Sequence, residues 1–329
     1  MKKILFAVMA FALLAGTSSC KKEMEGKYAP KEKINAVYTE ETYWYNGSIE
    51  SHEAKYKSEE WTWVKDRLDK IVYFNQYTYP TGEGDEMETE YEQTNLQTFT
   101  YDDDGRLTKS EIFGMETYVA TCEYDGKYLK TMTITEDREL LVSYQFNREG
   151  GKITSFDLTL GEDYFEMDEK SAKQLERVSP LRFVLDAKPA EEVMKATKCY
   201  AKRAVKVGSK ANAILHFSME WNGDNVSKIA TSFMGETLRY DFNYDEKHNP
   251  FYNLFEMANT LENGFMPFMP LSKNNVIGVA RTMSEGGDVE TETIQYSYTY
   301  NSKDYPTSKK EEETYEESKY ECTYFYEYK

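Results

Sequence analysis

Histidine is nearly absent from this chain, with three in 329 residues, and no two of His52, His216 and His248 have the spacing of metal ligands. A serine or cysteine nucleophile needs a histidine partner, and none of the three is signposted for that work. There is no CxxC pair among the four cysteines, which removes the zinc-ribbon and dithiol-redox classes. No GxSxG, phosphate-cradling glycine loop or dinucleotide fingerprint occurs, and no cofactor is expected. Positive charge is in deficit too: 40 Lys+Arg stand against 58 Asp+Glu, a formal net charge of −18. Such a surface repels phosphate backbones, so nucleic-acid binding is disfavoured. The one long apolar run, Ile4 to Ala15, falls short of the about 20 residues a bilayer crossing needs.

What the N-terminus does hold is a leader. MKKILFAVMAFALLAGTSSC places two lysines, an apolar run and small residues ahead of Cys20, the three-part shape of a secretory signal. Gly16, Thr17, Ser18 and Ser19 sit where a bacterial lipoprotein carries its lipobox, with Thr17 in place of the usual leucine. In the proteins this region resembles, the cysteine is acylated and becomes the mature N-terminus, so Cys20 is the expected lipid attachment site. Residues 1–19 then form the signal peptide and the charged stretch 20–36 a tether. A single β-rich domain covers 37–329.

Period-two alternation dominates that domain. In VETETIQYSYTY (289–300), Ile294, Tyr296, Tyr298 and Tyr300 share one face while Thr293, Gln295, Ser297 and Thr299 share the other. Tyrosine and threonine favour strands, and tyrosine alone numbers 28. Cys122 and Cys322 alternate with tyrosines and read as small apolar residues on buried faces, while one disulfide among Cys122, Cys199 and Cys322 stays open.

Between the alternating runs sit turn signals, DDDG at 102–105, DG at 125–126, EGG at 149–151, NGDN at 222–225 and GGD at 286–288. The pattern repeats. An aromatic residue, a polar turn, a basic or amide residue and then an aliphatic recur from Trp63, Tyr101, Tyr124, Phe146 and Trp221. The segment YDDDGRLTKSEIF (101–113) resembles the YD repeat of Rhs-type proteins, in which such units mark successive hairpins of a long antiparallel sheet. YDEKHNPFYNLFEMANTLENGFMPFMPLSKNNVIG (244–278) resembles uncharacterised lipoproteins of the Bacteroides kind, whose domain of unknown function is described as porin-like. The resemblance spans about residues 60 to 300 and brings no catalytic residues with it.

Two insertions interrupt the strands. PAEEVMKATKCYAKRAVKVG (189–208) is an amphipathic helix by its apolar face, with glutamates early and Lys198, Lys202 and Arg203 late. NPFYNLFEMANTLENG (249–264) is a second, with Asn249 as cap and Phe251, Leu254, Phe255, Ala258 and Leu261 as its stripe. The expected fold is therefore mainly β, an antiparallel meander forming a curved sheet or barrel, with two short helical insertions.

Segment 100–111 overlays part of an EF-hand loop through Asp102, Asp104, Gly105 and Glu111, but Thr100 replaces the first carboxylate and strands replace the framing helices. It reads as a hairpin turn, and no metal is expected. Glu311, Glu312, Glu313, Glu316 and Glu317 are the densest acid cluster and read as a solvated edge.

The remaining chemistry is aromatic. Tyr296, Tyr298 and Tyr300, with Tyr324 and Tyr326, either fill the inside of the sheet or face a ligand such as a sugar ring or a protein. A transmembrane barrel is the architectural rival, opposed by the Glu, Lys, Thr and Ser on the strand faces. The functional expectation is an outer-membrane lipoprotein, facing periplasm or cell exterior, that acts as a non-enzymatic binding or scaffold module for a glycan or protein. A carboxylate-dependent glycan hydrolase and a structural β-shell are the alternatives.

Overall fold

The computed structural model describes residues 24–80, 87–114, 117–161, 213–233, 236–256, 267–285, 288–315 and 318–329. Sixteen strands follow one another along the chain: β1 (Ile34–Tyr45), β2 (Ser48–Val64), β3 (Arg67–Pro80), β4 (Met87–Tyr101), β5 (Leu107–Phe113), β6 (Thr117–Asp125), β7 (Tyr128–Glu136), β8 (Glu139–Glu149), β9 (Lys152–Leu160), β10 (Ala213–Asn222), β11 (Asn225–Phe233), β12 (Glu236–His248), β13 (Asn274–Glu285), β14 (Asp288–Tyr300), β15 (Pro306–Tyr315) and β16 (Ser318–Tyr328). Each pairs antiparallel with its neighbours in sequence, and β1 pairs with β16, with Val37 opposite Tyr326 and Thr39 opposite Tyr324, so the sheet closes into a barrel.

Alternation decides what lies inside. On β10, Leu215, Phe217 and Met219 are buried while His216, Ser218 and Glu220 are exposed; on β12, Leu238, Tyr240 and Phe242 alternate with Arg239, Asp241 and Asn243. The outer face of β14 carries Thr293, Gln295, Ser297 and Thr299, all exposed. The outside is polar along these strands, where a lipid-facing band would be apolar. Among the described residues no helix is long and apolar enough to cross a membrane.

The helix expected over 249–264 is not there in its described part. Asn249 to Glu256 form turns and loop, and Asn253 takes a positive φ of 67°, which ends any helical run. The apolar stripe has another use. The segment enters the barrel end between β12 and β13, with Leu254 buried among Ile34, Trp61 and Tyr324 and Phe255 among Ile112, Tyr118 and Leu129. A helix presents one face; this loop is buried on several sides, and tertiary contact outweighs the local periodicity. Asn249 caps a turn, its Oδ1 accepting from the Phe251 backbone N–H at 2.9 Å, and its Nδ2 donates to the carbonyls of Met269 and Ser272. The only helix among the described residues is α1, one turn over Phe268–Leu271. The helix expected over 189–208, and Cys199 with it, lies outside the described residues.

The repeats noted in the sequence share a structural rule. The aliphatic after each turn, Leu68, Leu107, Leu129, Ile153 and Val226, is fully buried at 0% exposure. On β2, β4, β6, β10 and β16 the aromatic near the strand's end donates its polar tip to a backbone carbonyl at the start of the preceding strand. Trp63 Nε1 donates to Ile34 O at 2.7 Å, Tyr101 OH to Leu68 O at 2.7 Å, Tyr124 OH to Leu107 O at 2.7 Å and Trp221 Nε1 to Ile153 O at 2.6 Å. Tyr328 OH repeats the contact with Pro306 O at 2.8 Å. Phe146 has no donor, and there Arg148 Nη2 donates to Leu129 O at 3.0 Å instead. Register shifts opposite Trp63, Tyr101, Tyr124 and Trp221 place an extra residue, Asp69, Thr108, Lys130 or Ser227, on the following strand, and these bulges let Leu68, Leu107, Leu129 and Val226 face inward like the rest of the core.

The 102–105 turn uses its acid locally. Asp102 accepts from the Arg106 backbone N–H at 2.9 Å and from Arg106 Nε at 2.7 Å, and Gly105 supplies the φ of +81° the turn requires. Glu111 faces Lys109 at 2.6 Å on β5.

Residues 24–33, part of the stretch read as a tether, lie as a strap across the turn-bearing end. Gly26 O accepts from Leu107 N at 2.8 Å, Glu25 bonds the guanidinium of Arg148, and Tyr28 OH donates to Pro250 O at 2.8 Å. A Cβ on Gly26 would fall 1.8 Å from the Tyr124 hydroxyl, so only glycine passes there.

Removing a buried donor strands the carbonyl it served. Tyr124→Phe is expected to cost about 1–2 kcal/mol by chemical denaturation, whereas Tyr91→Phe, exposed on β4, is expected to change nothing measurable. Equal losses from both would refute the clasp.

Candidate functional site

The inner wall made by β14, β15, β16 and β1 carries the predicted tyrosines and a set of charges the sequence did not single out. Tyr296, Tyr298 and Tyr300 point inward from β14 and are half-buried; Tyr324 on β16 is 2% exposed and Tyr326 half-buried. Tyr298 OH donates to Val276 O at 2.8 Å, Tyr300 OH to Asp245 Oδ2, and Tyr326 packs edge-on against Phe251 of the entering loop at 6.1 Å. Cys20 lies outside the described residues.

Lys309 and Glu311 stand inside this wall. Register places Glu311 between Tyr296 and Cys322, and Lys309 between Tyr298 and Tyr324. Glu311 is 0% exposed and Lys309 6%. Glu311 therefore does not belong to a solvated edge, because in a closed barrel β15 has a neighbour on both sides. The Lys309 ammonium lies 3.7 Å from Glu311 Oε2, 4.6 Å from the centre of the Tyr296 ring and 5.3 Å from that of Tyr324. Burial pushes the Glu311 carboxyl above its ordinary value, and the Lys309 charge pulls against that. Cys322 beside it is buried without a disulfide partner, its thiol pushed well up by burial and then by Glu41 on β1, which keeps it in the unreactive thiol form. Cys122, also buried and unpaired, has its thiol pushed up to about 12 by burial. A cavity of about 20 Å³ opens beside Tyr298, Lys309 and Tyr326. That is room for about one water, not for a sugar ring.

A second polar cluster lies under the entering loop. Glu59 on β2 is 3% exposed and Glu256, at the loop's inner end, 2%. Gln97 Nε2 donates to Glu256 Oε2 at 2.8 Å and to Ser110 Oγ at 2.7 Å, while Tyr73 OH donates to Gln97 Oε1. Trp61 Nε1 donates to Glu59 Oε2 at 2.5 Å. Burial raises the Glu59 carboxyl to about 8; the Trp61 bond opposes this and the Glu256 charge adds to it. This is the buried carboxylate pair the sequence could not name, because a bulge at Ser58 and a loop folded inward bring together residues 197 positions apart. Neither carboxyl lines the cavity beside Tyr298 and Lys309. Among the described residues no group of three or more His, Cys, Asp or Glu side chains is arranged to hold a metal ion.

Known proteins add little beyond shape. No family model matches the chain, and no curated protein matches it. Among solved structures it is similar to a porin-like protein from Bacteroides uniformis, at 12% identity and a TM-score of 0.48, covering 93% of this chain and 100% of that one. It is also similar to part of the Photorhabdus luminescens Tc holotoxin pore, at 9% identity and a TM-score of 0.21, covering 84% of this chain and 18% of that one. At these values the likenesses carry no functional argument.

Breaking a buried pair by removing one partner leaves an uncompensated charge. Lys309→Met is expected to destabilise by about 3 kcal/mol, and Lys309→Met with Glu311→Leu to recover most of it. A double variant no more stable than the single one would show that the pair is not coupled. For Glu59 the folded-state value, about 8, lies above the ordinary 4.5. The folded chain therefore holds that proton more tightly, and the stability it contributes is full below about pH 4.5 and lost as pH rises through about 8. Glu59→Gln is expected to flatten this fall, by a few kcal/mol at pH 9, while matching the parent at pH 4.5. Parallel pH–stability curves for the two proteins would rule this out.

Proposed function

We propose that the chain is an outer-membrane lipoprotein, tethered through an acylated Cys20 and facing the periplasm or the cell exterior, that acts as a non-enzymatic binding or scaffold module. One observation carries the reading: along β10, β12 and β14 the barrel turns Leu215, Phe217, Leu238, Phe242, Tyr296 and Tyr298 inward and Ser218, Glu220, Arg239, Thr293 and Ser297 outward, so these strands suit water and membrane contact falls to the N-terminus. The scaffold side of the reading draws on the packed interior beside the tyrosine ladder, with its cavity of about 20 Å³. A glycan or protein ligand would meet Tyr296, Tyr298, Tyr300, Tyr324 and Tyr326 only after the 249–256 loop withdraws.

Cell fractionation with labelled palmitate tests the tether. The parent chain is expected to carry label and sediment with outer membrane, and Cys20→Ala to lose label and stay in solution without detergent. A Cys20→Ala protein that remains in the membrane and needs detergent would mean that the strands themselves cross lipid.

A further inference from the structure

At the turn-bearing end, the strap and the start of the entering loop enclose a pocket of about 460 Å³. That is within the size range of small-molecule sites. Its charge is unlike that of the rest of the molecule. Lys27, Lys31 and Lys273 line it together with His248, and no acidic side chain does, in a chain with 58 acids. Neighbouring lysines at this end are already matched, Lys33 with Asp66, Lys247 with Asp304 and Lys303 with Glu32. Among the described residues, neither Lys27 nor Lys31 has a carboxylate partner. Lys273 has only Asp224 at 3.6 Å, an exposed contact of little strength.

The remaining walls are suited to a polar ring. Tyr305 is buried at 6% exposure, and its hydroxyl accepts from the Lys31 backbone N–H at 3.2 Å, which leaves the hydroxyl proton to donate. The His248 ring packs on Tyr305 at 5.0 Å, and Asn253 adds an amide at the pocket wall. The scaffold is fixed: Asn249 is pinned by three hydrogen bonds and Tyr28 ties the strap to Pro250. Two lysines without a carboxylate partner, and a third with only an exposed contact, favour a compact multiply charged anion, since lysine binds phosphate as a point charge. Aromatic faces and amides favour a sugar beside it.

We infer that this pocket binds a phosphate monoester carried on a sugar-sized group, either a soluble sugar phosphate or the phosphorylated headgroup of a lipid. The inference deepens the binding-module reading by naming a site and ligand class apart from the tyrosine ladder. It does not depend on the tether, so the fractionation result and the one below can fail separately.

The test is calorimetric titration of the purified full-length chain with glucose 1-phosphate, glucose and inorganic phosphate. Glucose 1-phosphate is expected to bind more tightly than either of the others. Lys27→Glu with Lys273→Glu is expected to weaken it roughly tenfold or more. Lys130→Glu, an exposed reversal on β7, serves as the control and is expected to leave binding and melting temperature unchanged. Absence of binding, equal binding of glucose, or the same affinity in the double reversal would overturn the assignment. Phosphatidylcholine vesicles with and without phosphatidic acid then separate the sources. Binding that needs phosphatidic acid and is displaced by glucose 1-phosphate identifies a lipid headgroup; vesicles that do not bind, or are not displaced, identify a soluble ligand.

Discussion

The pairing of β1 with β16 is the contact on which the rest of the molecule depends. It joins residues near the two ends of the described chain, Ile34 opposite Tyr328. Closing the ring removes both free edges, whose unpaired N–H and C=O groups would otherwise recruit other chains. It also converts a simple period of two into a partition between inside and outside. Without closure, Glu311 and Lys309 would lie near a sheet margin in water; with it they are enclosed beside Tyr296 and Tyr324.

A ring of sixteen strands surrounds more space than ordinary side chains fill, since about eight strands already enclose room for a packed interior. This chain meets that volume in three ways. Its inner face is built of large rings, such as the Tyr144, Phe146, Phe156 and Phe217 stack. A loop between β12 and β13 folds inward and places Leu254 and Phe255 in the two cores, and the N-terminal strap covers the end where it enters. The aromatic-to-carbonyl bonds then fix five of the strand pairs at that end. The phenol and indole groups satisfy their polar tips while their rings pack, which aliphatics could not do. Enclosure has a cost, which falls on the acids. Glu59 and Glu311 are held where the charged form is disfavoured.

Much of the fold was legible along the chain. Trp63, Tyr101, Tyr124, Phe146 and Trp221 mark one end of five hairpins, and the turns between them need residues that tolerate positive φ, so strands, turns and antiparallel order follow from local chemistry. The loop at 249–256 was misread as a helix for a definite reason. Its Phe251, Leu254 and Phe255 spacing satisfies a helical stripe, but the spacing cannot distinguish one buried face from burial on all sides. The polar clusters were not legible. Glu311 lies in a run of glutamates indistinguishable by composition, and only its register against Cys322 and Tyr296 sets it apart. Glu59 and Glu256 belong to segments far apart in sequence, and nothing local in either announces the other.

By itself, then, the amino-acid order determined the strand period, the turn positions, the acidic surface and the recurring aromatic unit, because each depends on neighbours a few residues away. Tertiary structure alone decided that the meander closes, which carboxyls become buried, and that Lys27, Lys31 and Lys273 gather around one pocket free of acids. Those outcomes depend on distances between residues separated by up to several hundred positions, and such distances exist only once the first strand has found the last.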